Sequence, residues 1–166
     1  MIKRYWPPWS LLLLLTLTTP RFTTATDATQ PWHGKVIFVQ DGDSLKVKVG
    51  HRIETLRLQG IDAPEHGQPF AKDATRFVKR ATLGREVRVN PIELDLYHRM
   101  LADVFLTDGR SLNQELVKEG LAWHNTNYSH DPLLKKLEQQ ARREHRGLWA
   151  DGHPVAPWKW RHRHRK

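Results

Sequence analysis

Acidic residues gather at two turns in the first half of the chain. The stretch "DGDS" carries Asp41 and Asp43, and "RLQGIDAPE" runs from Arg57 to Asp62 and Glu65. Taken singly, Asp-Gly-Asp is ordinary turn chemistry, and an acid near a helix start interacts favourably with the helix dipole. Taken together, carboxylates brought to one point repel one another unless a cation lies between them. Hard oxygen ligands of this kind suit Ca²⁺ or Mg²⁺.

Two arginines accompany these acids and extend the chemistry from ion binding to phosphate chemistry. Arg57 lies on the strand that leads to Asp62, and Arg99 begins a later strand. A single strand arginine is usually surface decoration, but a guanidinium is also a planar fork that matches phosphate oxygens. A cation, two arginines and one remaining carboxylate, Glu65, would form a phosphodiester-cleaving set. In such a set the free carboxylate orients or deprotonates the attacking water.

The elements that would position these residues are mainly strands in the first two thirds of the chain. Five segments alternate apolar and polar residues with the period of a β-strand. These segments are 34–40, 44–49, 52–61, 85–93 and 99–106. The first three form a meander, whose adjacent strands would bring Asp43 close to Asp62.

Three helices are predicted from their apolar spacing and end signals. The first lies within 68–83, before Gly84. The second has Ser111 and Gln114 spaced as a capping box and stops at Gly120. The third has Asp131 as N-cap, ends at Gly147 and should bury Leu133, Leu137 and Ala141; Leu148 and Trp149 should then fold back into the core. The order predicts an α+β fold, a five-stranded Greek-key barrel of the oligonucleotide-binding type with three helices.

The N-terminal residues have the layout of a secretory signal peptide. Lys3 and Arg4 precede the apolar run "LLLLLTLT", and small polar residues follow. We expect residues 1–25 to be the signal, with cleavage near 25–28, and the mature protein to be secreted or periplasmic without a transmembrane segment. An uncleaved membrane anchor is the alternative, although the apolar run is far shorter than the roughly 20 residues of a spanning helix.

The positive charge of the chain lies mostly at its ends. The net charge is +9, yet residues 1–25 hold three bases and no acid, and the tail "KWRHRHRK" from Lys159 holds five bases and no acid. The remaining chain has 19 bases against 18 acids. Residues 150–166 form a basic C-terminal tail rich in Trp, His and Arg, and its part from Lys159 is expected to be rarely ordered. That part would serve either as a patch that binds nucleic acid or an anionic surface, or as a solvated end. The absence of cysteine excludes thiol nucleophiles and thiolate metal sites.

Four blocks of the sequence resemble successive blocks of the staphylococcal nuclease family. They are "VQDGDSLKV", "LRLQGIDAPE", "YHRMLADVFL" and "LVKEGLAW", in family order and spacing across roughly 33–149. The resemblance implies an oligonucleotide-binding barrel and Ca²⁺-dependent hydrolysis of DNA and RNA that leaves 3′-phosphate ends. It also implies a monomer without a stable protein partner.

The resemblance assigns roles to individual residues of this sequence. Asp43, Asp62 and the backbone carbonyl of Ala63 match the metal ligands, with Asp41 behind them. Glu65 matches the proposed general base.

Other positions match the groups that contact substrate. Arg57 and Arg99 match the two phosphate-binding arginines, and Tyr97 and Trp123 match substrate-contacting aromatics. One departure concerns the turn before Arg99: His98 stands where the family has glycine, which is expected to restrict how that arginine is aimed.

Two other functions remain open on the sequence alone. A catalytically inactive barrel could bind single-stranded nucleic acid by stacking and charge, although such a module would be expected to lose acids or arginines at these positions. Alternatively, the basic tail could bind an anionic membrane surface, which would leave the paired carboxylates without a task.

Overall fold

The computed structural model describes residues 30–164, so the predicted signal peptide lies outside the described residues. In chain order the elements are β1 Trp32–Val39, β2 Ser44–Val49, β3 Arg52–Leu58, β4 Ile61–Asp62, α1 Ala71–Thr82, β5 Glu86–Leu94, β6 Met100–Phe105, α2 Leu112–Lys118, β7 Trp123–His124, α3 Pro132–Arg143, a 3₁₀ turn Gly147–Ala150 and α4 Pro157–Arg163.

A closed five-stranded barrel forms the centre of the molecule. Its strand order is β1-β2-β3-β6-β5, and β5 closes back onto β1. Strands β3 and β6 pair in parallel, while the other neighbours pair antiparallel. The predicted α+β fold with an oligonucleotide-binding type of barrel is confirmed.

The period-two alternation of the strands fills the barrel. In β2, Leu45 and Val47 point inward and are fully buried, whereas Lys46 and Lys48 are exposed on the outside. Leu56 and Leu58 of β3 are buried in the same way. Because each such side chain contributes about 1.5–3 kcal/mol on burial, this core can hold the chain together without disulfides.

The helices begin and end where the sequence places their caps. Gly84, just after α1, has a φ of 76°, a left-handed conformation that glycine adopts without steric cost. The side chains of Ser111 and Asp131 accept hydrogen bonds from the N–H groups of Gln114 and Leu133 at the starts of α2 and α3.

The predicted inner face of α3 was wrong at one of its three residues. Leu134, rather than Leu133, is buried beside Leu137 and Ala141, and Leu133 is exposed. The reason is the packing of α3 against α2, which brings Leu134 into the same core cluster as Leu116 and leaves Leu133 in solvent.

The C-terminal tail is more ordered than the sequence predicts. Leu148 and Trp149 fold back into the core as expected. The tail beyond them, expected to be rarely ordered, instead continues into the helix α4. The reason is local packing, since Pro157 starts the helix and Trp158 meets the ring of Trp123 edge-on at 5.6 Å.

A two-stranded ladder, absent from the sequence prediction, joins the end of the meander to the C-terminal half. β4 pairs antiparallel with β7, so that Asp62 lies opposite Trp123. Strands of two residues leave no periodicity to detect, which is why the pattern missed them. The ladder ties the Asp62 region to the tryptophan cluster on which α4 rests. No helix within residues 30–164 is long and apolar enough to span a membrane.

Asn113 holds α2 against the barrel. Its amide nitrogen donates to the carbonyl of Gln59 at 2.9 Å, and its side-chain oxygen accepts from the N–H of Val104 at 3.1 Å. The residue is almost wholly buried. These bonds satisfy backbone groups of the β3–β4 connection and of β6 that would otherwise be buried without partners.

We expect Asn113→Ala to lower the free energy of unfolding by about 2–4 kcal/mol, because it leaves several buried polar groups unpaired. Urea denaturation of the purified protein measures the change. Gln114→Ala on the same helix is the control and should change stability by less than about 1 kcal/mol. Equal losses in the two variants would contradict the role given to Asn113.

Candidate active site

The turn between β1 and β2 fixes Asp43 by several hydrogen bonds. The N–H of Asp43 donates to Oδ1 of Asp41 at 3.1 Å, and the hydroxyl of Ser44 donates to Oδ1 of Asp43 at 3.2 Å. Gly42 lies so close to its surroundings that an added Cβ would stand 2.7 Å from the Cβ atoms of both Ala63 and Ala74. The turn therefore packs directly against the residue that follows Asp62.

The structure brings Asp43 and Asp62 together through one guanidinium. Nη1 of Arg57 pairs with Oδ1 of Asp43, and Nη2 of Arg57 donates to Oδ1 of Asp62 at 2.7 Å. The N–H of Ala63 donates to Oδ2 of Asp43 at 2.6 Å. Asp43 is 3% exposed and Asp62 is fully buried, so both acids lie inside the molecule.

Burying two carboxylates is costly unless cationic groups lie beside them. Carboxylates at two neighbouring positions, with the Ala63 backbone alongside, form a set of hard oxygen ligands that fits a cation such as Ca²⁺ or Mg²⁺. Within residues 30–164 no group of three or more His, Asp or Glu side chains gathers as a metal site. The fit therefore rests on the two carboxylates of Asp43 and Asp62.

Asp41 lies behind Asp43 and stays largely out of solvent. Its burial raises the pKa of the Asp41 carboxyl, although the nearby Arg57 guanidinium and hydrogen bonds from Ser44 act in the opposite direction. Its carboxylate accepts the hydrogen bond from the N–H of Asp43 and so holds the turn in shape. Asp41 thus lies behind Asp43 and supports its position.

Glu65 lies on a loop that Gln68 holds in shape. The N–H of Glu65 donates to the side-chain oxygen of Gln68 at 2.9 Å, and the N–H of Gln68 donates to the Glu65 carbonyl at 2.9 Å. The Glu65 side chain remains 36% exposed and faces the cleft. It is thus the one acid of the group that water reaches readily.

Arg99 is held by the turn that precedes it. Nε and Nη2 of Arg99 contact Oδ2 of Asp95 at 2.8 and 2.7 Å, and the N–H groups of Tyr97 and Arg99 donate to Oδ1 of Asp95. His98 completes the turn with a φ of 57°, a left-handed conformation in which glycine would be less strained. Burial acts to raise the pKa of Asp95, but the hydrogen bonds from Arg99 and Tyr97 outweigh it and lower that pKa.

A cleft of about 1840 Å³ collects most of the predicted residues on its walls. Asp41, Asp43, Arg57, Ala63, Glu65, Tyr97 and Arg99 line it. Asp62 is fully buried beneath this surface, and its carboxylate contacts Arg57, which lines the cleft. One open surface therefore presents the two predicted guanidinium groups together with an accessible carboxylate, and Arg161 lines it as well.

The two predicted aromatics lie in different surroundings. Tyr97 is 79% exposed on the cleft wall, and the Arg99 guanidinium lies over its ring at 5.4 Å from the ring centre. Trp123 is half-buried and packs edge-on against Trp149 at 4.4 Å, with Arg142 over its ring at 4.9 Å. Its contact with substrate stays a prediction. Tyr128, exposed on the same cleft, is an aromatic that the sequence reasoning missed.

Arg161 is the charged residue of the site that the sequence reasoning also missed. Its Nη2 contacts Oδ2 of Asp62 at 2.8 Å, its Nη1 contacts Oδ1 of Asp62 at 3.2 Å, and Nη1 also pairs with Oε1 of Glu65. Hydrogen bonding to Asp62 raises the pKa of the Arg161 guanidinium, so it stays charged. The only sequence signal was an aromatic-rich basic tail after Pro157, which did not point to the acids 96 and 99 positions away.

Comparison with known proteins identifies the class to which this fold and site belong. The family model described as staphylococcal nuclease homologue matches residues 55–151. A protein of Escherichia coli O157:H7 named uncharacterized endonuclease is 42% identical over 131 residues, covering 79% of this chain and 86% of its own.

Two further relatives agree. The micrococcal nuclease of Shigella flexneri is 36% identical over 140 residues, which is 78% of this chain and 80% of that protein. An uncharacterized endonuclease of Haemophilus influenzae is 35% identical over 128 residues, 76% of this chain and 71% of that protein. The chain belongs to the staphylococcal nuclease family and is a nuclease-type hydrolase.

We expect Asp95→Asn to destabilise the protein at pH 7 by on the order of 1 kcal/mol, because the amide cannot replace the charge-assisted bonds to Arg99. A lowered folded-state pKa gives stability that is fully present above the ordinary Asp value of 3.8 and is lost as pH falls below it. The difference between wild type and variant should therefore shrink in that acid range. Denaturation curves at several pH values measure it, with Asp73→Asn in an exposed ion pair as control. A difference that persists unchanged below pH 3.8 would refute this explanation.

Proposed function

We propose that this protein is a calcium-dependent endonuclease that hydrolyses the phosphodiester bonds of DNA and RNA and leaves 3′-phosphate ends. The observation that carries the proposal is the convergence of Asp43 and Asp62 on Arg57 beside the accessible Glu65. Endonuclease activity on nucleic acids is supported by the family and by the named nucleases among its relatives.

The metal would be held by the carboxylates of Asp43 and Asp62 and by the carbonyl of Ala63. When bound, the ion neutralises charge on the phosphate and lowers the barrier to attack by water. Asp41 supports the set through its bond to the Asp43 N–H. A site with two carboxylates and several waters suits weak calcium binding, with dissociation constants of roughly 10⁻⁴–10⁻³ M.

The other side chains of the site bind the phosphate and activate the attacking water. Arg57 and Arg99 bind the phosphate oxygens and stabilise the negative charge that grows on them during attack. Glu65 accepts a proton from the attacking water, whose oxygen forms the new bond to phosphorus. The bond between phosphorus and the 5′ oxygen then breaks, the leaving 5′ oxygen takes a proton from solvent water, and the phosphate remains on the 3′ side.

The nucleic acid would lie along the cleft as an open strand. Tyr97 offers an exposed face on which a base can stack, and Trp123 is the second aromatic assigned to substrate. Binding through phosphate and stacking makes no use of base edges or of the sugar 2′-hydroxyl, so we expect cleavage without sequence specificity and on both DNA and RNA. We expect the protein to act as a monomer without a stable protein partner.

Weak calcium binding fits a location outside the cytosol. Calcium reaches the required concentration outside cells, whereas cytosolic calcium does not fill sites of this affinity. Together with the signal-like N-terminus, this leads us to propose a secreted or periplasmic enzyme.

The calcium requirement is tested by incubating the purified protein with plasmid DNA and with a single-stranded RNA. We expect cleavage with calcium and its loss with a chelator. The product ends are then compared, because a 3′-phosphate blocks extension by a polymerase until a phosphatase removes it. Cleavage that persists with chelator would contradict the metal requirement. Tight strand binding without cleavage under any ion would instead favour an inactive binding module.

The role of Glu65 is tested by Glu65→Gln, which keeps the shape of the side chain and removes its charge. We expect turnover to fall by roughly 10²–10⁴-fold, since general base catalysis contributes about that much, while strand binding persists. Glu93→Gln is the matched control, because Glu93 lines the same cleft and is exposed. Equal activity in the two variants would remove Glu65 from the mechanism.

A further inference from the structure

The helix α4 is fixed beside the active site by contacts of the residues just before it and of one residue within it. Ahead of it, the Gln68 side chain donates to the carbonyl of Val155, and Ala156 is buried. Within it, Trp158 packs edge-on against Trp123. Since Gln68 also holds the Glu65 loop, the position of α4 and the shape of that loop depend on the same side chain.

In this position, α4 places the Arg161 guanidinium against Asp62 and Glu65. The proposed function assigns metal binding to Asp62 and proton transfer to Glu65. The guanidinium makes a two-pronged contact with both oxygens of Asp62 and reaches Oε1 of Glu65. These are the oxygens that a bound cation and a water proton would use. The docked helix and a working site therefore compete for the same atoms.

We propose that Arg161 is an internal competitor for the cation, so that α4 acts as an autoinhibitory latch that calcium must displace. This inference rests on the proposed calcium dependence. The latch sets the calcium concentration at which the enzyme becomes active, and it occupies Oε1 of Glu65 until that concentration is reached.

The chain next to α4 allows such a movement. Residues 151–153 between the 3₁₀ turn and the helix are exposed, and an added Cβ at Gly152 would meet no atom within 4 Å. The buried contacts of α4 are few, and its last residues are exposed. Release of the helix therefore breaks little of the main core.

The test measures calcium binding by calorimetry without nucleic acid, for wild type, Arg161→Gln and Lys159→Gln. Lys159 is exposed on the same helix and is the matched control for the loss of one positive charge. We expect Arg161→Gln to bind calcium about tenfold more tightly, the factor for a latch docked roughly 90% of the time. Lys159→Gln should bind like wild type.

A second variant and a second signal read the movement of the helix itself. Trp158→Ala keeps Arg161 but removes the packing on Trp123, so it should also tighten calcium binding. In wild type, calcium should speed hydrogen exchange in a peptide covering 156–164, whose amides of Lys159 and Trp160 are bonded within α4.

Each result separates the latch from other roles. Equal calcium affinity in wild type and Arg161→Gln overturns the latch and leaves the proposed function standing. Slower cleavage by Arg161→Gln at unchanged calcium affinity would also overturn it, and would make Arg161 a third phosphate-binding arginine. Failure of every protein to bind calcium would overturn the proposed function and the latch together.

Discussion

The pairing of Arg57 with Asp43 and Asp62 is the interaction on which the candidate site depends. Two carboxylates are almost wholly buried beside the barrel, and a single guanidinium contacts both. Without compensating positive charge, such burial would cost several kcal/mol per ion. The need for that compensation also explains why the same acids are suited to a metal ion and are reached by Arg161.

The fold supplies the precision that this arrangement needs. Asp43 ends the first turn of the meander, Arg57 lies on β3, and Asp62 lies on β4, so each is placed by backbone hydrogen bonds of the sheet. The N–H of Ala63 and the close packing of Gly42 lock the two turns together. The second arginine depends on a different device, since Arg99 is aimed by the Asp95 turn rather than by the barrel.

The sequence predicted the parts of this account that follow from local pattern. Period-two alternation such as Leu45 and Val47 against Lys46 and Lys48 gave the barrel strands, and the turn chemistry of Asp41 and Asp43 marked where they end. Caps at Ser111 and Asp131 gave the helix starts. These features are visible because the residues that create them are close together in the chain.

The features that the sequence missed depend on distant contacts. The β4–β7 ladder is too short to show a period, and the buried face of α3 depends on which side of the helix packs against α2. Arg161 contacts Asp62 because α4 is held in place by two contacts between residues far apart in the sequence. Trp158 packs against Trp123, and the Gln68 side chain donates a hydrogen bond to the Val155 carbonyl. The expectation of a rarely ordered tail that binds nucleic acid or an anionic surface, or stays solvated, missed the contacts of Arg161 with Asp62 and Glu65.

The most direct test of the central claim is a crystal structure of the protein grown with calcium and an uncleavable dinucleotide, with the ion located by its anomalous scattering. The account predicts one calcium bound by the carboxylates of Asp43 and Asp62 and the carbonyl of Ala63, with Arg57 and Arg99 on the phosphate. Calcium bound elsewhere in the molecule, with a phosphate that contacts neither arginine, would contradict it.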